Sequence, residues 1–467
     1  MIHYTPEKIS MQVFYEFYFI VTYIFSAFGE NSDENNYDLE VFMKFSIKKA
    51  AILLAVLMIM PVTAAARSDS AIVSPAIAVI ASEATVKVNG SCGGNAVFSA
   101  SDFDLTLGKR VDSITVLTLP DPAKGTLLLG EKPVEVNQTI KRRHLSSLVF
   151  TPADKSETEA SFCFTSDGAY SVTCDICIVK EINSSPKISA DSVNVAALSG
   201  ISTAVSISAH DPDGDDINYF ITDFPDKGSA TVNSDGTIVY TPSAKKRGRD
   251  SFTVYARDEY GNWSEPAEVS IKIGKNKTGI EYSDLEGLAV YSDAVKLSAS
   301  GIMSGESKNG KMYFEPNKSV TREEFITMLM KTIGLSDISD ISDVGFADDA
   351  SISEDARKYC RAAKKLGIVN GSSVDGRLYF NPKSKITQAE AAVMLNNLIG
   401  VEETVGQSAV SVFAEDSVVP AWAKNAVGAM HAIGVMKVTD GGASALSALT
   451  RGDTAKLLSV IMDMVVE

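Results

Sequence analysis

One short pattern recurs three times toward the C-terminus, and it limits the fold more than any other feature of these 467 residues. Phe314-Glu315-Pro316 leads through Val320 into Thr321-Arg322-Glu323-Glu324, and Phe380-Asn381-Pro382 leads through Ile386 into Thr387-Gln388-Ala389-Glu390. Leu449-Thr450-Arg451-Gly452-Asp453 is a third, frayed copy, and the threonines stand 66 and 63 residues apart. Thr321 with Glu324, Thr387 with Glu390 and Thr450 with Asp453 have capping-box spacing. In that device the hydroxyl accepts from the third backbone N–H while the acid reaches back to the cap. Phe325, Met328, Leu329 and Ile333 then follow a helical period, so an amphipathic helix is expected after the cap. An earlier helix in each copy ends in a glycine turn: Gly301-Ile302-Met303-Ser304-Gly305, Gly367-Ile368-Val369-Asn370-Gly371, and Gly434-Val435-Met436. Glycine suits the left-handed residue that stops a helix. One such hairpin cannot bury its own apolar face, so the three are expected to pack into one all-α bundle.

Each copy also opens on an aromatic and an acid, seen as Tyr282-Ser283-Asp284, Gly345-Phe346-Ala347-Asp348 and Phe413-Ala414-Glu415. Joined to the glycine turn and the Phe-x-Pro helix start, this pattern resembles the surface-layer homology (SLH) domain. The resemblance covers 281–467, with repeats at 281–335, 345–401 and 412–467. It implies a three-repeat bundle that binds secondary cell-wall polysaccharide noncovalently in grooves between repeats, a polymer that in many such systems carries acidic pyruvate ketals. A pyruvate carboxylate suits Arg322 and Arg451, because guanidinium pairs with carboxylate bidentately. Backbone N–H groups at the glycine turns of Gly305 and Gly371 suit an anion, and Trp422 offers a ring to stack on a sugar. The competing reading makes the arginines solvated first-turn residues and Glu324 and Glu390 simple caps. Asp284, Asp348 and Glu415 are expected to be structural, since carboxylates would repel an acidic polymer. The copies are unequal: Gln388 replaces the arginine in the second, and the third lacks Phe-x-Pro.

Between about Ser82 and Ile273 the texture is β, with alternating apolar residues broken by Gly, Pro, Asp and Asn. Leu148-Val149-Phe150-Thr151-Pro152 matches Ile238-Val239-Tyr240-Thr241-Pro242, and Ser161-Phe162-Cys163-Phe164 matches Ser251-Phe252-Thr253-Val254, both at an offset of 90 residues. Two all-β Ig-like sandwiches are therefore expected, at 82–181 and 185–274. The second resembles bacterial cadherin-like modules through Asp211-Pro212-Asp213-Gly214-Asp215 and the Tyr255-Ala256-Arg257-Asp258 strand. Asp211, Asp213 and Asp215 offer carboxylates at alternate positions, a chemistry that fits Ca²⁺, although Thr222 stands where an EF-hand needs Glu. The alternative is an acidic, solvated turn. Asp258 adds an oxygen only if the fold joins the two loops. Cys92, Cys163, Cys174 and Cys177 fall in the first sandwich, which in an exported chain predicts disulfides of open connectivity, the alternative being reduced structural thiols.

Upstream, Met43-Lys44-Phe45-Ser46-Ile47-Lys48-Lys49 precedes an apolar run and Ala64-Ala65-Ala66, which reads as a signal peptide over 43–66. Residues 1–42 then read as a misassigned upstream start. With 43 Lys and Arg against 59 Asp and Glu, the net charge is −16, which argues against nucleic acid as a partner. Four His, no phosphate loop and no nucleophile elbow leave no catalytic set to assemble, so no enzyme and no cofactor beyond Ca²⁺ are expected. The expectation is an exported, wall-bound surface-layer or associated protein, off the membrane after signal cleavage, with self-assembly left open. The rival is an adhesin or glycan-binding protein whose sandwiches do the specific work.

Overall fold

A computed structural model describes residues 85–466 apart from 167–170, 234, 337, 339–340, 401–418, 434 and 437–444. The expected signal segment, the stretch before it, Phe413-Ala414-Glu415 and Gly434 lie outside the described residues. Two units form, one of strands up to residue 277 with 287–289, the other built on 278–286 and from 290 onward.

The first half of the strand unit runs β1 (Val86–Ser91), β2 (Ala96–Val97), α1 (Ala100–Leu107), β3 (Ser113–Val116), β4 (Gly125–Leu129) and β5 (Lys132–Pro133). It continues with β6 (Thr139–Lys141), a 3-10 turn (Arg142–Ser147), β7 (Leu148–Pro152), β8 (Thr158–Thr165) and β9 (Val172–Val179). The sheets β1-β9-β8-β3-β6 and β2-β7-β4-β5 enclose Phe150, Phe162 and Phe164 from alternate strand positions, with Phe98 from the segment after β2 and Phe103 from α1. The second half runs β10 (Lys187–Ile188), β11 (Ser192–Leu198), β12 (Thr203–Val205), β13 (Ala209–His210) and β14 (Ile217–Thr222). Then come β15 (Gly228–Val232), β16 (Ile238–Pro242), β17 (Gly248–Asp258) and β18 (Ala267–Gly274), paired as β11-β18-β17-β14, β12-β16-β15 and β10-β13.

The two halves share one topology. In each the opening strand lies parallel to the closing one, Val86 opposite Cys174 and Ser192 opposite Glu268. Gly125 pairs with Pro152, and Gly228 with Pro242. A Cβ would lie 2.4 Å from the Phe150 ring at Gly125 and 2.5 Å from the Thr241 carbonyl at Gly228, so the close approach excludes any side chain at both.

Two expectations need correction here. The first sandwich is not all-β, because Ser99 and Asp102 form a reciprocal capping box that starts α1, and Gly108 ends it at φ 63°. Cys92, Cys163, Cys174, Cys177 and Cys360 are all free thiols. Cys174 and Cys177 stand three apart on β9, so the pleat sends their side chains to opposite faces and they cannot bridge each other.

The helical unit runs α2 (Tyr291–Ala299), β19 (Glu306–Lys308), β20 (Lys311–Tyr313), α3 (Arg322–Thr332), α4 (Glu354–Lys365), β21 (Ser372–Val374) and β22 (Arg377–Tyr379). It closes with α5 (Gln388–Ile399), α6 (Lys424–Ala432) and α7 (Arg451–Val466). It is therefore not all-α: β19 with β20 and β21 with β22 form two hairpins, turning at Asn309-Gly310 and Asp375-Gly376. All four turn residues have positive φ, between 49° and 77°, the geometry that matches the twist of paired strands. Among the described residues no helix is long and apolar enough to cross a membrane.

Helices pack across copies. Helix α3 lies on α4, α5 on α6, and α7 returns to α2. At the centre the three cap segments bond in a closed ring: Val320 N–H donates to Leu449 O (2.9 Å), Leu449 N–H to Ile386 O (2.9 Å), and Ile386 N–H to Val320 O (3.0 Å). Polar backbone is thus satisfied in the middle of an apolar bundle.

Candidate functional site

Around that ring the repeated motifs meet. Each cap threonine receives its acid as expected: Thr321 N–H donates to Glu324 (2.8 Å), Thr387 N–H to Glu390 (3.0 Å) and Thr450 N–H to Asp453 (3.1 Å). The next residue in each copy crosses to the following copy. Arg322 is 8% exposed; its Nε donates to Phe380 O (2.9 Å) and its Nη1 lies 2.9 Å from Glu390 Oε1. Arg451 Nε donates to Phe314 O (2.8 Å) and its Nη2 to Ser304 O (2.7 Å). Each guanidinium also lies over the ring of the phenylalanine it bonds, at 5.4 Å for Phe380 and 4.8 Å for Phe314. Gln388, at the same position, reaches Ser447 Oγ at 3.4 Å.

The Phe-x-Pro turns are held from the other side by the opening acids. Asp284 accepts from Phe314 N–H (2.9 Å) and Glu315 N–H (2.7 Å), and Asp348 accepts from Phe380 N–H (2.9 Å) and Asn381 N–H (2.7 Å). Glu315 and Asn381 sit at φ 60° and 57°, a left-handed conformation the paired N–H bonds keep in place. Gly305 and Gly371 close the same corner. A Cβ on Gly305 would lie 2.3 Å from Tyr282 Cε1, and one on Gly371 would lie 2.8 Å from Phe346 Cε1. The structure so brings Arg451 to the Gly305 corner and Arg322 to the Gly371 corner. Trp422 stands apart, 59% exposed, just before α6.

One constellation has no signal in the repeat. Glu323, buried on α3, accepts from Ser353 N–H (3.0 Å), Ser353 Oγ (2.8 Å) and Lys383 Nζ (2.5 Å), tying the first copy to the second. Burial pushes its carboxyl up, but Lys383 and Ser353 outweigh that and hold it below the usual range. These partners lie 30 and 60 residues away, and the other copies carry Ala389 and Gly452 at this place.

In the strand unit, carboxylate oxygens of Asp211, Asp213 and Asp215 lie within 4.8 Å of one another. Asp211 is 7% exposed; its Oδ1 accepts from Asp213 N–H (2.8 Å), while its Oδ2 is buried with no partner. The Oδ2 of Asp215 is equally orphaned, and the carboxyl is pushed up to about 6 by burial and by Asp211, Asp258, Glu259 and Asp213. The fold does bring Asp258 to this cluster as a charge. Its own oxygens are already occupied by Gly261 N–H (2.6 Å), Asn262 N–H (2.8 Å) and Asn183 Nδ2 (2.8 Å). Buried carboxylate oxygens without donors are costly, and a hard cation is the group that satisfies several at once.

Residues 281–326 and 345–392 match the S-layer homology domain, and residues 183–275 match the bacterial cadherin-like domain. The chain is 36% identical over 123 residues to an amylopullulanase of Thermoanaerobacterium thermosulfurigenes, covering 26% of this chain and 6% of that protein. It is 34% identical over 123 residues to an exoglucanase, XynX, of Acetivibrio thermocellus, covering 26% and 11%. A surface-layer 125 kDa protein of Lysinibacillus sphaericus is 31% identical over 121 residues, covering 26% and 10%. The chain therefore spans between 6% and 11% of the length of these relatives.

Proposed function

We propose that this chain is an exported cell-envelope protein held noncovalently to secondary cell-wall polysaccharide by three SLH repeats, with two β-sandwiches carried by that anchor. The observation that supports this reading most is the closed ring of Val320, Ile386 and Leu449, whose third member behaves as a repeat although the family match covers the first two. A pyruvylated polymer would supply a carboxylate for Arg451, the arginine at the Gly305 corner. Of the candidate contacts, Trp422 is open to solvent and Arg451 is part-buried, whereas Arg322, Gly305 and Gly371 shape the corners between copies. The role is binding rather than catalysis. The test is sedimentation of the protein with intact sacculi, before and after the secondary polymer is stripped. Binding should vanish on stripping, and equal binding to bare peptidoglycan would overturn the reading.

Asp211, Asp213 and Asp215 form, in the same reading, a Ca²⁺ site that steadies the second sandwich. Millimolar Ca²⁺ should raise its melting temperature, because a ligand held only by the folded state stabilises that state. A melting point indifferent to Ca²⁺ removes the site.

A further inference from the structure

Neighbouring domains move against each other unless the interface between them holds them. The connection from β9 to β10, residues 180–186, is short and mostly polar, with Ile182 82% exposed, as a hinge would be. The loop between β17 and β18 reaches back over it. Asp258 shapes that loop: its Oδ1 accepts from Gly261 N–H (2.6 Å) and Asn262 N–H (2.8 Å), and Ser264 Oγ accepts from Ala256 N–H (2.9 Å). The second sandwich thus sets the loop with its own bonds, whatever the first sandwich does.

The tip of the loop lies on β1, an edge strand of the five-stranded sheet. Gly261, at φ 105°, comes so close that a Cβ there would run into the Lys87 carbonyl. Lys87 and Asn89 alternate with Val86 and Val88 of the core, so both face outward to meet the loop. Lys87 Nζ donates to Glu259 O (2.9 Å), and Asn89 Nδ2 donates to Asn262 Oδ1 (2.8 Å) and Tyr260 O (3.3 Å). Asn262 Nδ2 in turn donates to Asn183 O and Ser184 O, both at 3.3 Å. Asn262 therefore bonds the first sandwich with one end of its amide and the connection with the other. The connection is also tied to the second sandwich, through Asn183 Nδ2 to Asp258 Oδ2 (2.8 Å) and Ser184 N–H to Asp213 Oδ2 (2.6 Å).

A second contact lies at α1, which in chain order stands where the second sandwich has β13. Arg257 holds its guanidinium over the rings of Phe220 (4.7 Å) and Trp263 (5.0 Å), and its Nη1 donates to Thr106 Oγ1 on α1 (3.4 Å). That bond is long, but the two rings fix the direction of the side chain that makes it.

We propose that the 258–263 loop and Arg257 are a metal-free latch that holds the two sandwiches as one rigid body, so that 180–186 is not a hinge. None of these bonds needs a cation, so the angle between the sandwiches is set before any metal reaches Asp211, Asp213 and Asp215. The same loop covers an open strand edge, which keeps β1 from pairing with another chain.

The experiment measures, by pulsed electron spin resonance on the full chain in excess EDTA, the distance between spin labels at positions 131 and 246. Both positions are exposed, one on each sandwich, and labelling through unnatural amino acids leaves the free thiols out of the chemistry. The parent should give one narrow distance, unmoved when Ca²⁺ replaces EDTA. Asn89→Arg drives a long side chain into the seat of the loop and should lose that single distance to a broad distribution. Thr139→Arg, on β6 at the opposite edge of the same sheet, should keep it. A parent distance that is broad in EDTA, or that moves or narrows with Ca²⁺, overturns the proposal. So does an Asn89→Arg distribution that matches the parent, or equal broadening by Thr139→Arg. Should Asn89→Arg melt early, Asn89→Ala/Thr106→Val, which deletes latch bonds without adding bulk, is read by the same criterion.

Discussion

At Arg322 the first turn of α3 sends a guanidinium inward, against Phe380 O and Glu390, where a helix start would ordinarily leave it in water. Removing it strands a buried carbonyl and unpairs an acid that also caps α5. Arg322→Ala should therefore lower stability by about 2–4 kcal/mol in urea, the cost of breaking a buried charged contact. Gln388→Ala, whose side chain makes one long bond, should cost about 0.5 kcal/mol. Equal costs would show that Arg322 does not tie α3 to the second copy. Asp215 argues in the other direction. Its folded carboxyl titrates near 6, above the unfolded value, so the folded state holds the proton more tightly and its stability falls as pH rises from about 4 to about 6. Asp215→Asn should raise the melting temperature of the Ca²⁺-free protein at about pH 7 and lose that advantage at about pH 4. It should also abolish the Ca²⁺ response. An equal effect at both pH values would deny the strain at this carboxyl.

Among the elements, the Phe-x-Pro turns carry local tension, since Glu315 and Asn381 are held at positive φ by Asp284 and Asp348. Asp284→Ala and Asp348→Ala should each cost about 2–3 kcal/mol, two charge-assisted bonds and a turn that no longer closes. Asn381→Gly should recover part of the loss in Asp348→Ala, because glycine adopts that φ without strain. No recovery in thermal unfolding would mean the bonds, and not the conformation, are what the acid supplies. Such elements divide by how local their causes are. The capping boxes at Thr321, Thr387 and Thr450 were legible because cap and acid are three residues apart. So was the sandwich repeat, since Leu148–Pro152 and Ile238–Pro242 became equivalent strands. The hairpins at Asn309-Gly310 and Asp375-Gly376 carried a plain turn signal that the helical pattern around them overshadowed. The Glu323–Ser353–Lys383 tie and the inward turn of Arg322 were not legible. Both depend on which copy lies next in space, and that is set by ring closure and not by spacing along the chain.

For the helical unit as a whole, closure is the property that matters. In an open stack of repeats each unit touches only its neighbours, so removing the last one costs a single interface. Here α7 packs back on α2, and the ring bonds of Val320 and Ile386 both involve Leu449. Truncation after Gly400 would leave Val320 N–H and Ile386 O without partners at the centre. It would also uncover the faces of α2 and α5 and release Phe314 O and Ser304 O from Arg451. Each buried polar group left unpaired costs about 1–3 kcal/mol, and the uncovered apolar faces add to it. These losses together match the whole stability of an ordinary domain, about 5–15 kcal/mol. The truncated protein should therefore lose the cooperative melting of its helical unit altogether, while the strand unit, with its own two cores, still unfolds as a domain. Circular dichroism at the helical band and calorimetry would separate the two transitions. A truncated chain whose helices still melt cooperatively at the parent temperature would mean that the copies stack as a line, and that the ring is incidental to what holds them.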